Sequence, residues 1–338
     1  MTEGKTRVKV RRSMKTEILA MLQEETYVSG QAICNRLNVS RTAVWKMINR
    51  LREEGYEIEA VPNKGYCLKH IPDVITREAC LKEMDTEWAG QNIIYREEVD
   101  STNTLAKKLG EEGAPHGTLV VADMQTRGKG RLGRSWYIPK GQAIAMSLIL
   151  RPQVEPQYAS MLTLVAALAV SRAIDEKTGI RTEIKWPNDI VYQGKKICGI
   201  LTEMSADMDT IHYVIVGIGI NTGTIAFGKE LEEKADSLFR ITEEFIPRRI
   251  LIAEVMKRLE YYYEQFCRTK DLSLLRDAYE ERLVNKNNQV RVLAPGNEYT
   301  GTCLGITKDG ELLVRGESGA VQTVVSGEVS VRGIYGYV

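Results

Sequence analysis

Histidine is scarce in this chain. Only His70, His116 and His212 occur among 338 residues, too few and too scattered for a histidine metal centre. The six cysteines (Cys34, Cys67, Cys80, Cys198, Cys267 and Cys303) form no C-x-x-C pair. Their wide spacing argues against a zinc site and against a disulfide framework. No run of 18 or more apolar residues occurs, and no secretory leader opens the chain. Neither a membrane partner nor export is therefore expected, and a cytoplasmic location is. Net charge is nearly missing as well, at +1. What these absences leave is an ordinary globular chain, long enough for two or three domains and a substantial core.

The small net charge hides an uneven distribution. Residues 1–70 carry thirteen Lys and Arg against eight Asp and Glu, while the remainder is slightly acidic. A cationic front points toward a polyanion. Six of those thirteen cations fall in the first fifteen residues, where a frayed soluble tail is as good a reading as a nucleic-acid arm. Met14 is a possible alternative start.

From Lys15 onward the pattern becomes regular. "TEILAMLQEE" reads as a helix, "SGQAICNRL" as a short second helix entered at Ser29, and "NVS" as a tight turn. Ser40 then caps "RTAVWKMINRLREEG", in which Val44, Met47, Ile48 and Leu51 make one buried stripe. Arg41, Thr42, Trp45 and Lys46 lie opposite, and Gly55 sits where a helix-ending glycine belongs. Two short β-type runs follow around Pro62-Asn63-Lys64-Gly65. This order resembles a winged helix-turn-helix, whose recognition helix brings short polar and cationic side chains into the major groove. Ser40, Arg41, Thr42, Trp45 and Lys46 are the candidate DNA contacts, with Lys64 on the hairpin reaching a phosphate.

Past "HIPDVIT", a plausible linker, strands and helices mix. "NIIYREEV", "GTLVVADMQ", "AIAMSLIL" and "HYVIVGIGINT" read as strands, and "YASMLTLVAALAVSRAI" as a buried helix. "TEIKWPNDIVY" and "KKICGILTEM" read as two strands joined at Gln193-Gly194. Between two of these strands lies "TRGKGRLGRSW", residues 126–136, with Arg127, Lys129, Arg131 and Arg134, three glycines and no acid. Like charges a few ångströms apart repel by on the order of 1 kcal/mol per pair at intermediate dielectric. Glycine adds an ordering cost. Such a segment is either an inconsequential solvated loop or one that waits for an anion. Its G-x-G-x-x-G spacing is not followed by a helix, so it is not a dinucleotide fingerprint. Residues 223–229 spell G-x-x-x-x-G-K, but Glu230 stands where a P-loop needs Ser or Thr.

Five blocks, "DSTN", "QTRGKGRLGRSW", "KWPNDIVY", "KKICGIL" and "GIGIN", together resemble biotin–protein ligases. With the front domain, the chain resembles the bifunctional ligase and biotin-operon repressor branch of that family. One departure is visible: Lys129 replaces the first arginine of the usual loop, which keeps the charge and loses the bidentate fork. The resemblance implies an α+β chain of three domains. Residues 1–70 would form the winged helix-turn-helix. Residues 71–284 would form a mixed-sheet catalytic domain like that of class II aminoacyl-tRNA synthetases. Residues 285–338, with their short β-type runs, would form a small SH3-like β-barrel.

The resemblance further implies two chemical steps. Biotin and ATP give biotinyl-5′-AMP and pyrophosphate, and a lysine of the biotin carboxyl carrier protein of acetyl-CoA carboxylase then takes the biotin. The implied biotin contacts are Ser101, Thr102, Asn103, Gln125, Lys129, Gly130, Arg131 and Lys196, with Arg131 and Lys196 catalytic. The implied ATP contacts are Arg134, Trp136, Lys185, Asn188, Asp189, Gly219 and Asn221, with Gly217 allowing close backbone approach. Mg2+ is implied with ATP, its protein ligands unassigned. A ligand-dependent homodimer on operator DNA, with the adenylate as co-repressor, completes the implied function. The basic loop is expected to be mobile until biotin or the adenylate orders it. Alternatives are a lipoate–protein ligase and a biotin-sensing repressor that no longer catalyses.

Overall fold

A computed structural model describes residues 14–24, 26–53, 56–70, 73–136, 139–225, 227–294, 297–326 and 330–333. The expectations for the basic tail before Met14 and for Gly55 lie outside these residues. The chain divides into two compact units, Met1–Asp73 and Val74–Val338.

The first unit holds helices α1 (Met14–Glu24), α2 (Gly30–Leu37) and α3 (Arg41–Glu53) and a hairpin of β1 (Glu57–Val61) and β2 (Gly65–His70). Ser29 accepts a hydrogen bond from the Ala32 amide and starts α2; Asn38, at φ 53°, ends it in the left-handed region. Ser40 Oγ accepts from the Ala43 amide at 3.2 Å and starts α3 two residues later. Val44, Ile48 and Leu51 then fall on one face and pack against Ile18, Met21, Leu22, Ile33 and Ile58. Each such burial is worth about 1.5–3 kcal/mol relative to exposure. Gly65 is required at the wing: a Cβ there would stand 2.2 Å from the Val28 carbonyl oxygen, where Val28 and Tyr66 bridge the hairpin to the turn before α2.

The second unit is built on a seven-stranded mixed sheet. Its strands are β3 (Asn92–Val99), β4 (Thr118–Gln125), β5 (Ala143–Leu150), β6 (Glu183–Lys185), β7 (Asp189–Tyr192), β8 (Lys195–Ala206) and β9 (Ile211–Asn221). Their order is β3-β4-β5-β9-β8-β7-β6. Only β3 and β4 pair in parallel. Helices α4 (Arg77–Glu83), α5 (Thr102–Glu111), α6 (Met161–Thr178), α7 (Lys229–Glu232), α8 (Leu238–Thr242), α9 (Arg248–Thr269) and α10 (Arg276–Glu280) surround it. α6, apolar nearly all round, is buried along most of its length in the main core. "TEIKWPNDIVY" is not one strand as expected. Lys185 pairs with Asp189, so β6 and β7 form a hairpin around Trp186, Pro187 and Asn188. Proline, which has no N–H for a ladder, sits in the turn. Gln193 (φ 47°) and Gly194 (φ 79°) make the next turn, as expected.

Strands β10 (Gln289–Ala294), β11 (Asn297–Ile306), β12 (Leu312–Gly316), β13 (Val321–Val324) and β14 (Ser330–Gly333) form a small antiparallel sheet. Their order is β13-β12-β11-β10-β14. Val290, Val292, Cys303, Ile306, Leu312 and Val314 of this sheet belong to the same hydrophobic core as α6 and α9. The whole is α+β.

Candidate active site

One pocket gathers the chemistry. It is lined by Ser101, Thr102, Asn103, Gln125, Lys129, Gly130, Arg131, Trp136, Asn188 and Lys196, with Gly199, Ile200, Leu201, Gly217, Ile218 and Gly219 from two paired strands. Its polar end is set by the start of α5. Ser101 opens that helix, and Thr102 and Asn103 are its first residues. The Thr102 amide and Oγ1 both donate to Gln125 Oε1, at 2.8 and 3.0 Å, so the end of β4 holds the helix start. All four of these side chains are buried.

Glycines shape the floor. Gly199 of β8 faces Gly219 of β9, and Leu201 faces Gly217. A Cβ on Gly219 would come within 2.4 Å of Trp136 Nε1, and one on Gly217 within 2.0 Å of Asn103 Oδ1. The Trp136 indole therefore lies on a strip of bare backbone that any side chain would fill. Its buried Nε1–H has no hydrogen-bond partner in this structure. An unpaired buried donor is costly, and a ligand acceptor would relieve it.

The basic loop closes on itself over this floor. Gly130 N donates to the Arg134 carbonyl at 2.7 Å, Trp136 N donates to Gly128 at 2.8 Å, and Lys129 bridges Ser135. Leu132 at the tip adopts φ 55° and is exposed. Arg131 turns inward: Nη1 donates to Asn188 Oδ1 at 3.0 Å and Nη2 to the Ser326 carbonyl at 2.5 Å. Burial lowers its pKa, Asp189 pulls the other way and Arg134 adds to the lowering. Arginine stays charged through such shifts. Asn188 braces the contact by donating to the Ile200 carbonyl at 3.0 Å.

Lys196 enters β8 with Nζ 2.6 Å from Asp189 Oδ1 and 5.1 Å from the centre of the Trp136 ring. Its backbone is clamped by Lys234 and Asp236. Lys129, Arg131 and Lys196 thus line one cavity, with Asp189 the carboxylate beside them. A Coulomb attraction of several kcal/mol is available to an anion at partly buried distances.

The remaining expected contacts do not line this pocket. Lys185 is buried in β6, Arg134 is exposed on the loop, and neither lines the pocket. Asn221 is buried and donates to the Asp236 carbonyl, holding the segment after β9. Asp189 does not line the pocket but pairs with Lys196 and acts on the charge of Arg131, both of which do. Gly199, Ile200 and Leu201 were not among the expected contacts, although "KKICGIL" contains them; the glycine inside an apolar strand was the available signal.

In the first unit Arg41, Thr42, Trp45 and Lys46 form an exposed stripe on α3, the side away from its core. Gln31 of α2 holds Arg41, accepting from Nε and Nη2 at 3.2 and 2.8 Å. The Ser40 oxygen is committed to its cap, and Lys64 stands 4.9 Å from the Tyr27 ring centre.

Residues 95–221, which include every residue lining the pocket, match the biotin/lipoate A/B protein ligase family. Residues 15–67 match an HTH domain, and residues 287–332 match the biotin protein ligase C-terminal domain. The bifunctional ligase/repressor BirA of Bacillus subtilis (strain 168) is 38% identical over 326 residues, 95% of this chain and 100% of the relative. The chain belongs to the biotin–protein ligase family. The ligase is 28% identical to the BirA of Escherichia coli (strain K12) over 94% of its length and 96% of the relative. The solved biotin protein ligase of Aquifex aeolicus, in complex with biotin and ATP, superposes with TM-score 0.63 at 34% identity. That comparison covers 72% of this chain and 99% of the other.

Proposed function

We propose that the chain is an ATP-dependent biotin–protein ligase and a biotin-responsive repressor. The observation that carries this reading is the convergence of Lys129, Arg131 and Lys196 on one cavity whose other end is the buried Ser101–Thr102–Asn103–Gln125 cluster. Three cations suit the meeting of a carboxylate with a nucleotide α-phosphate, and the polar cluster suits a ureido ring. In the first step a biotin carboxylate oxygen bonds to the α-phosphorus while the bond to the pyrophosphate oxygen breaks. In the second, an acceptor lysine amine bonds to the acyl carbon, AMP leaves and the amine loses a proton. Both steps depend on positioning and on stabilising charge that develops on oxygens. Arg131 and Lys196 take that role. Ser101, Thr102, Asn103, Gln125, Lys129 and Gly130 hold biotin. Trp136 and Gly219 face the nucleotide, with Arg134, Lys185, Asn188, Asp189 and Asn221 around it.

Among the described residues, no three His, Cys, Asp or Glu side chains cluster as a metal cage. Magnesium keeps several waters and binds through one or two carboxylates together with phosphates, so a single carboxylate beside the phosphates suits it. Asp189, paired with the pocket's Lys196, would be such a carboxylate, and magnesium bound with the nucleotide would neutralise phosphate charge there. The partners are a biotin carboxyl carrier protein, reached in the cytoplasm, and operator DNA. The exposed stripe of Arg41, Thr42, Trp45 and Lys46 supports the DNA reading, with a ligand-dependent homodimer matching a two-fold operator. The three-domain division at residues 70 and 284 belongs to the same reading.

Biotin-dependent exchange between ATP and labelled pyrophosphate tests the first step, and transfer of labelled biotin to a carrier domain tests the second. Lipoate-dependent exchange in place of biotin-dependent exchange would transfer the reading to the lipoate branch. Operator binding that rises with biotin and ATP, without transfer to a carrier, would leave a sensor only.

A further inference from the structure

Behind the polar end of the pocket stand two residues that do not line it. Ser147, fully buried in β5, places Oγ 2.8 Å from Thr102 Oγ1 and 2.6 Å from Asn103 Oδ1. Glu203 of β8 accepts from Asn103 Nδ2 at 2.8 Å and pairs with Lys107. The Leu201 carbonyl accepts from the same Asn103 nitrogen at 3.2 Å.

These contacts fix which atom of each amide faces which way. Glu203 and Leu201 offer only acceptors, so Asn103 must turn its NH2 to them and its Oδ1 to Ser147. Gln125 must turn Oε1 to Thr102, because the Thr102 backbone N–H points at it. A chain of four oxygens results: Gln125 Oε1, Thr102 Oγ1, Ser147 Oγ and Asn103 Oδ1. The three contacts between them share two hydroxyl protons. Whichever way the hydroxyls rotate, one contact lacks a hydrogen, and the cluster is one donor short. Two buried oxygens held in contact with no hydrogen between them repel, so this end of the pocket favours a ligand that brings an N–H to one of them.

We propose that Ser147 and Glu203 are positioning residues that set the hydrogen-bond polarity of Thr102 and Asn103, and so select a ligand carrying ureido N–H groups over one that has none. The inference rests on the biotin-ligase reading. Ser147 does this by carrying a single proton between two acceptors, and Glu203 by preventing the Asn103 amide from reversing. A cyclic urea with adjacent N–H groups supplies the missing donor, whereas a dithiolane acid such as lipoate supplies none.

The test is a double-mutant cycle on the full chain. Biotin affinity by calorimetry and KM for biotin are measured for Ser147→Ala, Glu203→Gln, Asn103→Ala and the two pairs with Asn103→Ala, with KM for ATP as the internal comparison. An N-methylated biotin lacking one ureido N–H is run beside biotin. Expected is a loss of biotin affinity of about 5- to 50-fold for each of S147A and E203Q. KM for biotin should rise more than kcat falls. Each loss should shrink to less than about twofold once Asn103 is already alanine, and the preference for biotin over its N-methyl analogue should narrow in both variants. Additive losses in the Asn103→Ala background, or an unchanged biotin-to-analogue ratio, would overturn the inference. If Ser147→Ala does not fold, Ser147→Cys, similar in size with a weaker donor, replaces it in the cycle. Wild-type exchange with biotin decides the ligase reading by itself, so the two can fail separately.

Discussion

Substituting Gly217 by alanine should damage fold and binding through one atom. Gly217 sits in the middle of the sheet, opposite Ser147 on one side and Leu201 on the other. A Cβ at this position would stand 2.0 Å from Asn103 Oδ1, whereas an ordinary C···O approach is about 3.3–3.6 Å. Asn103 would have to withdraw by more than an ångström. It would give up its hydrogen bond to the Glu203 carboxylate and its contact with Ser147. Losing one charge-assisted and one neutral hydrogen bond costs about 2–4 kcal/mol. Replacing glycine within a strand returns about 0.5–1 kcal/mol. A net loss of about 1–3 kcal/mol follows, read as a lower urea midpoint at unchanged slope. Biotin affinity measured by calorimetry should fall at least about tenfold, since Asn103 and Thr102 would no longer be held as a pair. Gly316→Ala is the comparison, because its nearest neighbour to a Cβ, the Ala320 carbonyl, is at an ordinary 3.8 Å. A Gly217→Ala protein with wild-type midpoint and wild-type biotin affinity would refute the reasoning.

Further outcomes follow from the same geometry. Arg131→Ala or Lys196→Ala should slow adenylate formation by about 10²- to 10³-fold with the fold intact, and wild-type pyrophosphate exchange in either would contradict the assigned roles. Burial pushes the Glu203 carboxyl up, but the hydrogen bonds from Lys107 and Asn103 and the charges of Lys107 and Lys129 prevail and hold it below its ordinary value. Its stabilising contribution is therefore complete above the ordinary glutamate range and is lost as pH falls through the lower folded value. Lys107→Met removes the largest opposing partner, so the loss should begin at higher pH; superimposable stability–pH curves would count against this. Arg41→Ala and Lys46→Ala should each weaken operator binding about tenfold, and a variant that no longer neutralises its phosphate should show a salt slope smaller by about one. Trypsin should cut at residues 126–136 more readily without biotin than with it, and equal cutting would remove the loop's ordering from the account.

Much of the molecule is legible in its sequence. The helix order of the first unit is written in two serine caps and one apolar stripe, which are local signals. The basic loop stands out because residues 126–136 hold four cations and no acid. The strand pair at Gln193-Gly194 follows from turn chemistry. Three features are hidden because their meaning lies across the sheet. "AIAMSLIL" reads as a plain core strand, and nothing in it marks Ser147 as the partner of Thr102 and Asn103. Asp189 looks like an ATP contact from its motif; its 2.6 Å ion pair with Lys196 depends on the hairpin fold of "KWPND". The tail reads as a separate small barrel, yet its strands share the core of α6 and α9, since apolar periodicity shows which face is buried and not against what.

The central claim is that this pocket activates biotin on a nucleotide. The most direct measurement is mass spectrometry of the small molecules formed when purified protein meets biotin, ATP and magnesium, with no acceptor present. Biotinyl-5′-AMP retained on the protein, discharged to AMP when a carrier domain is added, is the predicted result. Unaltered biotin and ATP at equimolar protein would contradict it.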